Sequence, residues 1–264
     1  MKKKSKIIIK YTLKLFKLIE IIAAFMQGKG YGSATIKQEI NQVMKLLTVK
    51  PILVIDIGGN VGEYTAELIS RHPFTEIHIF EPSKVNIEIL SIRFKKYNNL
   101  IIIPLATSNK TGNATLYSNY PGSGLASLTQ RNLEHFNINF DITEDVNLIR
   151  FEEYWKNSLQ SRIIDLVKID IEGQELNTLN GFGESIEFIK ILQFEFGGCN
   201  VDTRTYFRDF WDYFKKYNFS IYRITPIGYD YIEKYIESNE FFITTNYIAV
   251  NNNLENLTTL QLRS

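Results

Sequence analysis

The chain has 264 residues, 44% of them hydrophobic and 22% charged, with a formal net charge of +1. That length and apolar content suit one large domain with a substantial core, and the near-neutral charge gives no argument for a nucleic-acid partner. The single Cys199 excludes an internal disulfide framework and fits a reducing cytoplasm; one cysteine and three histidines offer no zinc-ligand spacing.

Charge is uneven along the chain. Residues 1–30 hold eight lysines against Glu20 alone, a balance of +7, which leaves −6 for the rest. Lys10, Lys14 and Lys17 recur at i, i+4 and i+7 on one face of a predicted helix, with Ile9, Leu13, Phe16 and Glu20 on others. Its wide apolar surface suits a helix that lies on an anionic membrane surface, which for a cytoplasmic protein is the inner face, or that packs against a partner; the alternative is that residues 1–26 pack on the chain's own core. The lysines argue against a membrane span, and the apolar run is too broken for a signal peptide.

A glycine-rich break, Gln27-Gly28-Lys29-Gly30-Tyr31-Gly32-Ser33, precedes an amphipathic helix over Ile36 to Leu47. The expected organisation is a basic helical appendage over 1–50, a main domain over 51–250 and a frayed polar tail over 251–264.

Within the main domain, strand-like runs lie near 52–57, 76–80, 100–105, 163–171, 189–196, 219–223 and 241–250. The first five are rich in Ile, Val and Leu and separated by crossover-length connections. They predict an α/β doubly wound, mostly parallel sheet buried on both faces. The last two runs predict an antiparallel closing hairpin at a sheet edge. The segment from Thr107 to Asn147 has no strong period, and Pro121-Gly122-Ser123-Gly124 marks a loop. Its polar groups Ser123, Ser127, Thr129, Gln130 and Arg131 make it a candidate substrate lid; the alternative is a surface insertion with a hairpin around Gly112.

The first run ends in Val54-Ile55-Asp56-Ile57-Gly58-Gly59-Asn60-Val61-Gly62-Glu63, a buried strand, a glycine-rich turn and a helix start. A G-x-G-x-x-G dinucleotide fingerprint counted from Gly58 would need glycine at positions 60 and 63, and both differ. The spacing fits D-x-G-x-N-x-G instead, a loop that holds S-adenosylmethionine (SAM). Gly58, Gly59, Asn60 and Gly62 are therefore candidate cofactor-binding positions, with Asp56 placed to accept from the SAM amino group. The second run ends in Phe80-Glu81-Pro82. A strand–helix–strand unit brings Glu81 beside the glycine loop, where its carboxylate can take both ribose hydroxyls; Pro82 adjoins it.

The fourth run, Leu166-Val167-Lys168-Ile169-Asp170-Ile171-Glu172-Gly173, carries three charges on one side of a strand. Buried charges are costly unless paired or used, and these fall at the carboxyl end, where open α/β sheets bind ligands. In Gln193-Phe194-Glu195-Phe196 the acid again nears a strand end, so Glu195 is expected to converge on Asp170. Two such carboxylates can split acid and base roles or bind a divalent cation; the metal reading is the less favoured.

These motifs together resemble the FkbM family of SAM-dependent methyltransferases, over roughly residues 50 to 250. The resemblance implies a class I (Rossmann-like) fold and O-methylation of a hydroxyl on a sugar, glycan or secondary metabolite. Asp170 is the first choice for the base that takes the hydroxyl proton, then Glu172, then Glu195, with Lys168 orienting Asp170 or binding the acceptor. Asp170 also adjoins the cofactor loop and counts among its candidate ligands. The alternatives are a non-catalytic SAM- or nucleotide-binding scaffold acting through the basic helix and, more distantly, an NAD-dependent oxidoreductase.

Overall fold

A computed structural model describes residues 2–31 and 36–254. Gly32 and Ser33 of the glycine-rich break, and residues 255–264 of the expected polar tail, lie outside the described residues. The N-terminal helix α1 (Lys2–Met26) stands apart from the core. Helix α2 (Ile36–Leu47) does not: Ile40, Val43 and Leu47 recur at helical spacing and are buried in one of the two core clusters. Packing thus divides the first 50 residues, and α2 is continuous with the domain that follows.

The predicted crossover units form in order. They are β1 (Leu53–Ile57), α3 (Glu63–Arg71), β2 (Glu76–Phe80), α4 (Lys84–Arg93) and β3 (Leu100–Ile103). Strands β1 and β2 are almost entirely buried, as expected for parallel strands covered by helices on both faces. The aperiodic segment contributes β4 (Ala106–Ser108), β5 (Gly112–Ser118) and β6 (Ile142–Arg150), which form a separate sheet of order β4-β6-β5. Strands β4 and β5 flank Gly112 but pair with β6 and not with each other, so no hairpin forms there.

The chain returns to the main sheet through α5 (Phe151–Asn157), β7 (Ile164–Ile169), α6 (Glu175–Asn180) and β8 (Ile189–Phe196). It ends with α7 (Cys199–Thr203), α8 (Phe207–Lys216), β9 (Phe219–Thr225), β10 (Gly228–Tyr231) and β11 (Thr245–Asn251). The eight-stranded order is β10-β9-β11-β8-β7-β1-β2-β3, parallel from β8 to β3 and antiparallel at the other end. The expected closing hairpin is therefore corrected. Strands β9 and β11 pair antiparallel, but β11 inserts between β8 and β9, and the hairpin at the edge is β9 with β10.

Strand order reverses between β1 and β7, so their carboxyl ends open the crevice where such sheets bind ligands. Register places Asp56 beside Lys168, and Lys168 beside Gln193.

Candidate active site

The glycine loop is shaped by its own packing. Gly58 and Gly62 both have φ of +83°, a region that side chains disfavour. A Cβ on Gly58 would collide with the Asp170 carbonyl, one on Gly59 with Ile79, and one on Gly62 with Leu90 and Phe94. These glycines let the loop lie flat on β2, α4 and the end of β7. That leaves the loop's opposite side to a ligand.

Glu81 fastens the same loop. Its Oε2 accepts from the Asn60 N–H at 2.8 Å, and its Oε1 from the Ser83 N–H at 2.9 Å. Burial raises its pKa against these donors. Two carboxylate oxygens have about four acceptor sites, so Glu81 keeps capacity for a ligand hydroxyl. It lines a cavity together with Pro82, Asn86, Leu105, Thr107 and the 123–128 loop. The Asn86 Oδ1 in that wall is buried with no hydrogen-bond partner, and so is the neighbouring Ser83 Oγ.

Asp56 departs from its expected role of contacting the SAM amino group. It is fully buried, lines neither this cavity nor the next, and accepts from Thr65 Oγ1 at 2.7 Å. Its other oxygen has no hydrogen bond and lies 3.9 Å from the Lys168 ammonium. Asp56 therefore acts beneath the site, on Lys168.

Lys168 and Asp170 meet as the strand alternation predicts, Nζ to Oδ2 at 3.1 Å. Burial alone would lower the Lys168 pKa, but Asp170, Asp56 and Glu39 outweigh it and hold the ammonium charged. Glu172 lies past the strand in a left-handed turn with φ of +53°. Glu175 holds that turn by accepting from the N–H groups of Ile171 and Gly173 at 3.0 and 3.2 Å. The Glu172 carboxylate pairs with Arg131, and Arg131 Nε reaches Asp202 at 3.2 Å.

Glu195 arrives from β8 as expected. One oxygen from each of Asp170, Glu172 and Glu195 lies within 4.8 Å of the others, a spacing a divalent cation can bridge. Lys168 and Arg131 already supply positive charge to the cluster. Burial raises the Glu195 pKa well above the usual range, and Asp170, Glu172 and Glu175 add to the effect. Burial and Asp170 likewise push Glu172 up to about 7, against the Arg131 guanidinium.

A second cavity adjoins the first at the glycine loop. Ile36, Glu39, Gly59, Tyr64, Lys168, Glu195 and Asn246 line it, and Gly58, Asn60 and Asp170 form a wall common to both cavities. Sequence reasoning missed Glu39, Tyr64 and Asn246 among its polar groups. Glu39 comes from α2, where it accepts from Gln193 Nε2 at 2.7 Å, while Tyr64 donates to Gln193 Oε1 at 2.8 Å. Burial pushes Glu39 up to about 7, opposed by Lys168 and Gln193. An acid on the apolar stripe Ile36, Ile40, Val43 and Leu47 was the available signal for it.

The 119–133 loop covers the first cavity. Ser127 Oγ donates to the Glu172 carbonyl at 2.8 Å, and Gln174 Nε2 donates to Thr129 Oγ1 at 2.6 Å. With the Arg131 pair, these contacts latch the loop to the turn after β7. Cys199 is buried, and burial with Glu175 raises its thiol pKa, which makes it a poor nucleophile.

Residues 56–221 match the family model of the methyltransferase FkbM domain. Methyltransferase sdnD of Sordaria araneosa is 26% identical over 156 residues, which are 50% of this chain and 60% of that protein. The solved structure of the plantazolicin methyltransferase BpumL in complex with SAH aligns at TM-score 0.46 and 9% identity, over 89% of this chain and 90% of that one. An O-methyltransferase from Bacillus cereus in complex with SAH aligns at TM-score 0.44 and 10% identity, with the same coverage.

Proposed function

The chain belongs to the FkbM methyltransferase family, since that family's model spans well over half of it, and from this premise we propose that it is a SAM-dependent O-methyltransferase acting on a hydroxyl of a sugar, glycan or related metabolite. One observation carries the reading: Gly58, Asn60 and Asp170 are shared by the two cavities. A donor in the first and an acceptor in the second would meet at Asp170.

The residues of the first cavity fit SAM. Glu81 has acceptor capacity for a ribose hydroxyl, Asn86 has an unused polar atom, and Leu105 and Leu116 give an apolar wall for a flat base. SAM held there would supply an electrophilic methyl for the acceptor oxygen, with the sulfur as leaving group retaining the electron pair.

This chain's residues supply alignment and the path for the proton. Holding two reactants in line contributes about 7–11 kcal/mol. The acceptor hydroxyl must also lose its proton, worth about 10²–10⁴-fold when a base is positioned. Asp170 is that base, because it lies in the wall between the cavities, Glu172 is engaged by Arg131, and burial among neighbouring acids raises the Glu195 pKa. Lys168 fixes the Asp170 carboxylate and offers an ammonium to a neighbouring acceptor oxygen. Glu195, Glu39 and Asn246 give the second cavity a polar lining suited to several hydroxyls, as on a sugar.

The test is incubation with methyl-labelled SAM and a panel of free, nucleotide-linked and lipid-linked sugars, followed by product NMR. An O-methyl ether is expected. Tight SAM binding with label on no hydroxyl acceptor would favour a binding scaffold, and label on nitrogen or carbon would refute the reaction class.

A further inference from the structure

We propose that α1 is a docking helix for an anionic lipid bilayer, and that it seats the second cavity at the membrane surface. The cavity's role as the acceptor site rests on the function proposed above; the docking itself does not.

Eleven large apolar side chains between Ile9 and Met26 are 44% or more exposed, Phe16 and Ile21 at 61 and 64%. Soluble domains do not leave a continuous apolar surface of this extent in water without a partner. The same helix carries Lys10, Lys14 and Lys17 on one face, and Glu20 is the only acid in residues 1–30. An apolar arc beside a lysine stripe is what a helix lying in the headgroup region requires: apolar residues enter the acyl boundary while ammonium groups meet lipid phosphates. No helix among the described residues is long and apolar enough to cross a membrane, so α1 lies on the surface. A second copy of α1 is a poor occupant, because two helices of +6 repel.

The root of α1 fixes what docking does to the site. Phe25 packs edge-on against Tyr31 at 5.3 Å, and the Lys29 ammonium lies 5.0 Å over the Phe241 ring. The Gly30 N–H donates to Thr245 Oγ1 at 3.4 Å. The next residue, Asn246, lines the second cavity, as do Ile36 and Glu39 of α2. The helix leaves the domain beside the cavity rim, so a docked α1 presents that cavity to headgroups. The acceptor class that fits is a polyhydroxylated group carried on a lipid.

The experiment is co-sedimentation of the full chain with vesicles of phosphatidylglycerol and phosphatidylcholine, against phosphatidylcholine alone, at low and high salt. Binding is expected only with the anionic vesicles and should weaken with salt. The triple change Lys10→Gln, Lys14→Gln, Lys17→Gln should cut affinity on the order of a hundredfold, given roughly fivefold per lysine at such a surface. The pair Leu13→Ser, Phe16→Ser should weaken binding while leaving electrostatic attraction in place. Calorimetry with SAH on the same proteins checks that the domain is intact, and vesicle binding by a chain that fails to bind SAH still supports docking. Wild-type protein left in the supernatant with anionic vesicles at low salt overturns the proposal. Self-association that Leu13→Ser, Phe16→Ser abolishes, without vesicle binding, assigns α1 to a protein partner and also overturns it.

Discussion

At the scale of single residues, the site is a set of carboxylates whose charge two cations manage. Asp170 stands in the wall between the cavities, 3.1 Å from Lys168. Asp170→Asn keeps the shape and removes the base, so turnover should fall about 10²–10⁴-fold while the SAH affinity measured by calorimetry changes little. Equal losses in both would move Asp170 into cofactor binding. Glu81→Ala takes away a charged acceptor and also unfastens Asn60 from the loop. SAH binding should weaken by about 1.5–3 kcal/mol, and unchanged affinity would make Glu81 a purely structural acid. Activity should survive EDTA. Inhibition that magnesium reverses would instead make ligands of Asp170, Glu172 and Glu195. Lys168 and Asp170 were legible because charges on an otherwise apolar buried strand demand a reason. Asp56 was legible as important but not in its role. Its position at the strand end says nothing about whether the carboxylate turns toward a ligand or, as here, toward Thr65 and Lys168.

At the scale of elements, two segments outside the classical strand–helix units complete the site. The 119–133 loop is latched by Arg131, which pairs with Glu172 and Asp202. Arg131→Ala removes charged hydrogen bonds worth about 1.5–3 kcal/mol, so amide exchange in residues 119–133 should speed up about 10–100-fold. Unchanged exchange would mean that Ser127 and Thr129 hold the loop without it. The lid was anticipated from its polar content. The strands around it were not, because half-exposed β5 and β6 carry too few apolar residues to set a period of two. Helix α2 gives a pH dependence whose sign follows from Glu39. Its pKa rises from 4.5 to about 7 on folding, so the native state binds more protons in that window. The contribution is fully present below 4.5 and is lost as pH rises through about 7; Glu172 and Glu175 act in the same direction. Denaturant midpoints should therefore fall across that window, and Glu39→Gln, neutral throughout, should flatten the slope. Stability that rises with pH there would mean Glu39 is ionised and paired with Lys168.

For the whole molecule, the apolar runs were enough to predict a doubly wound parallel sheet, because buried parallel strands are written as near-continuous Ile, Val and Leu. The antiparallel end was legible only in part. Nothing local distinguishes a strand that inserts beside β8, as β11 does, from one that closes a hairpin at the edge. The N-terminal boundary was legible by charge and not by packing. Lysines mark α1, yet Tyr31, Ile40 and Val43 already belong to the core. Removing residues 1–26 should therefore leave the thermal transition nearly unchanged. Removing 1–47 should abolish cooperative folding, because it uncovers Ile191 of β8 and Ile248 of β11 on one face of the sheet. The claim beneath all of this is that the cavity between the glycine loop and Glu81 is a SAM site. Calorimetric titration of the full chain with SAH and with NAD tests it most directly. The account predicts saturable binding of SAH, one per chain, and none of NAD; binding of NAD with no response to SAH would contradict it.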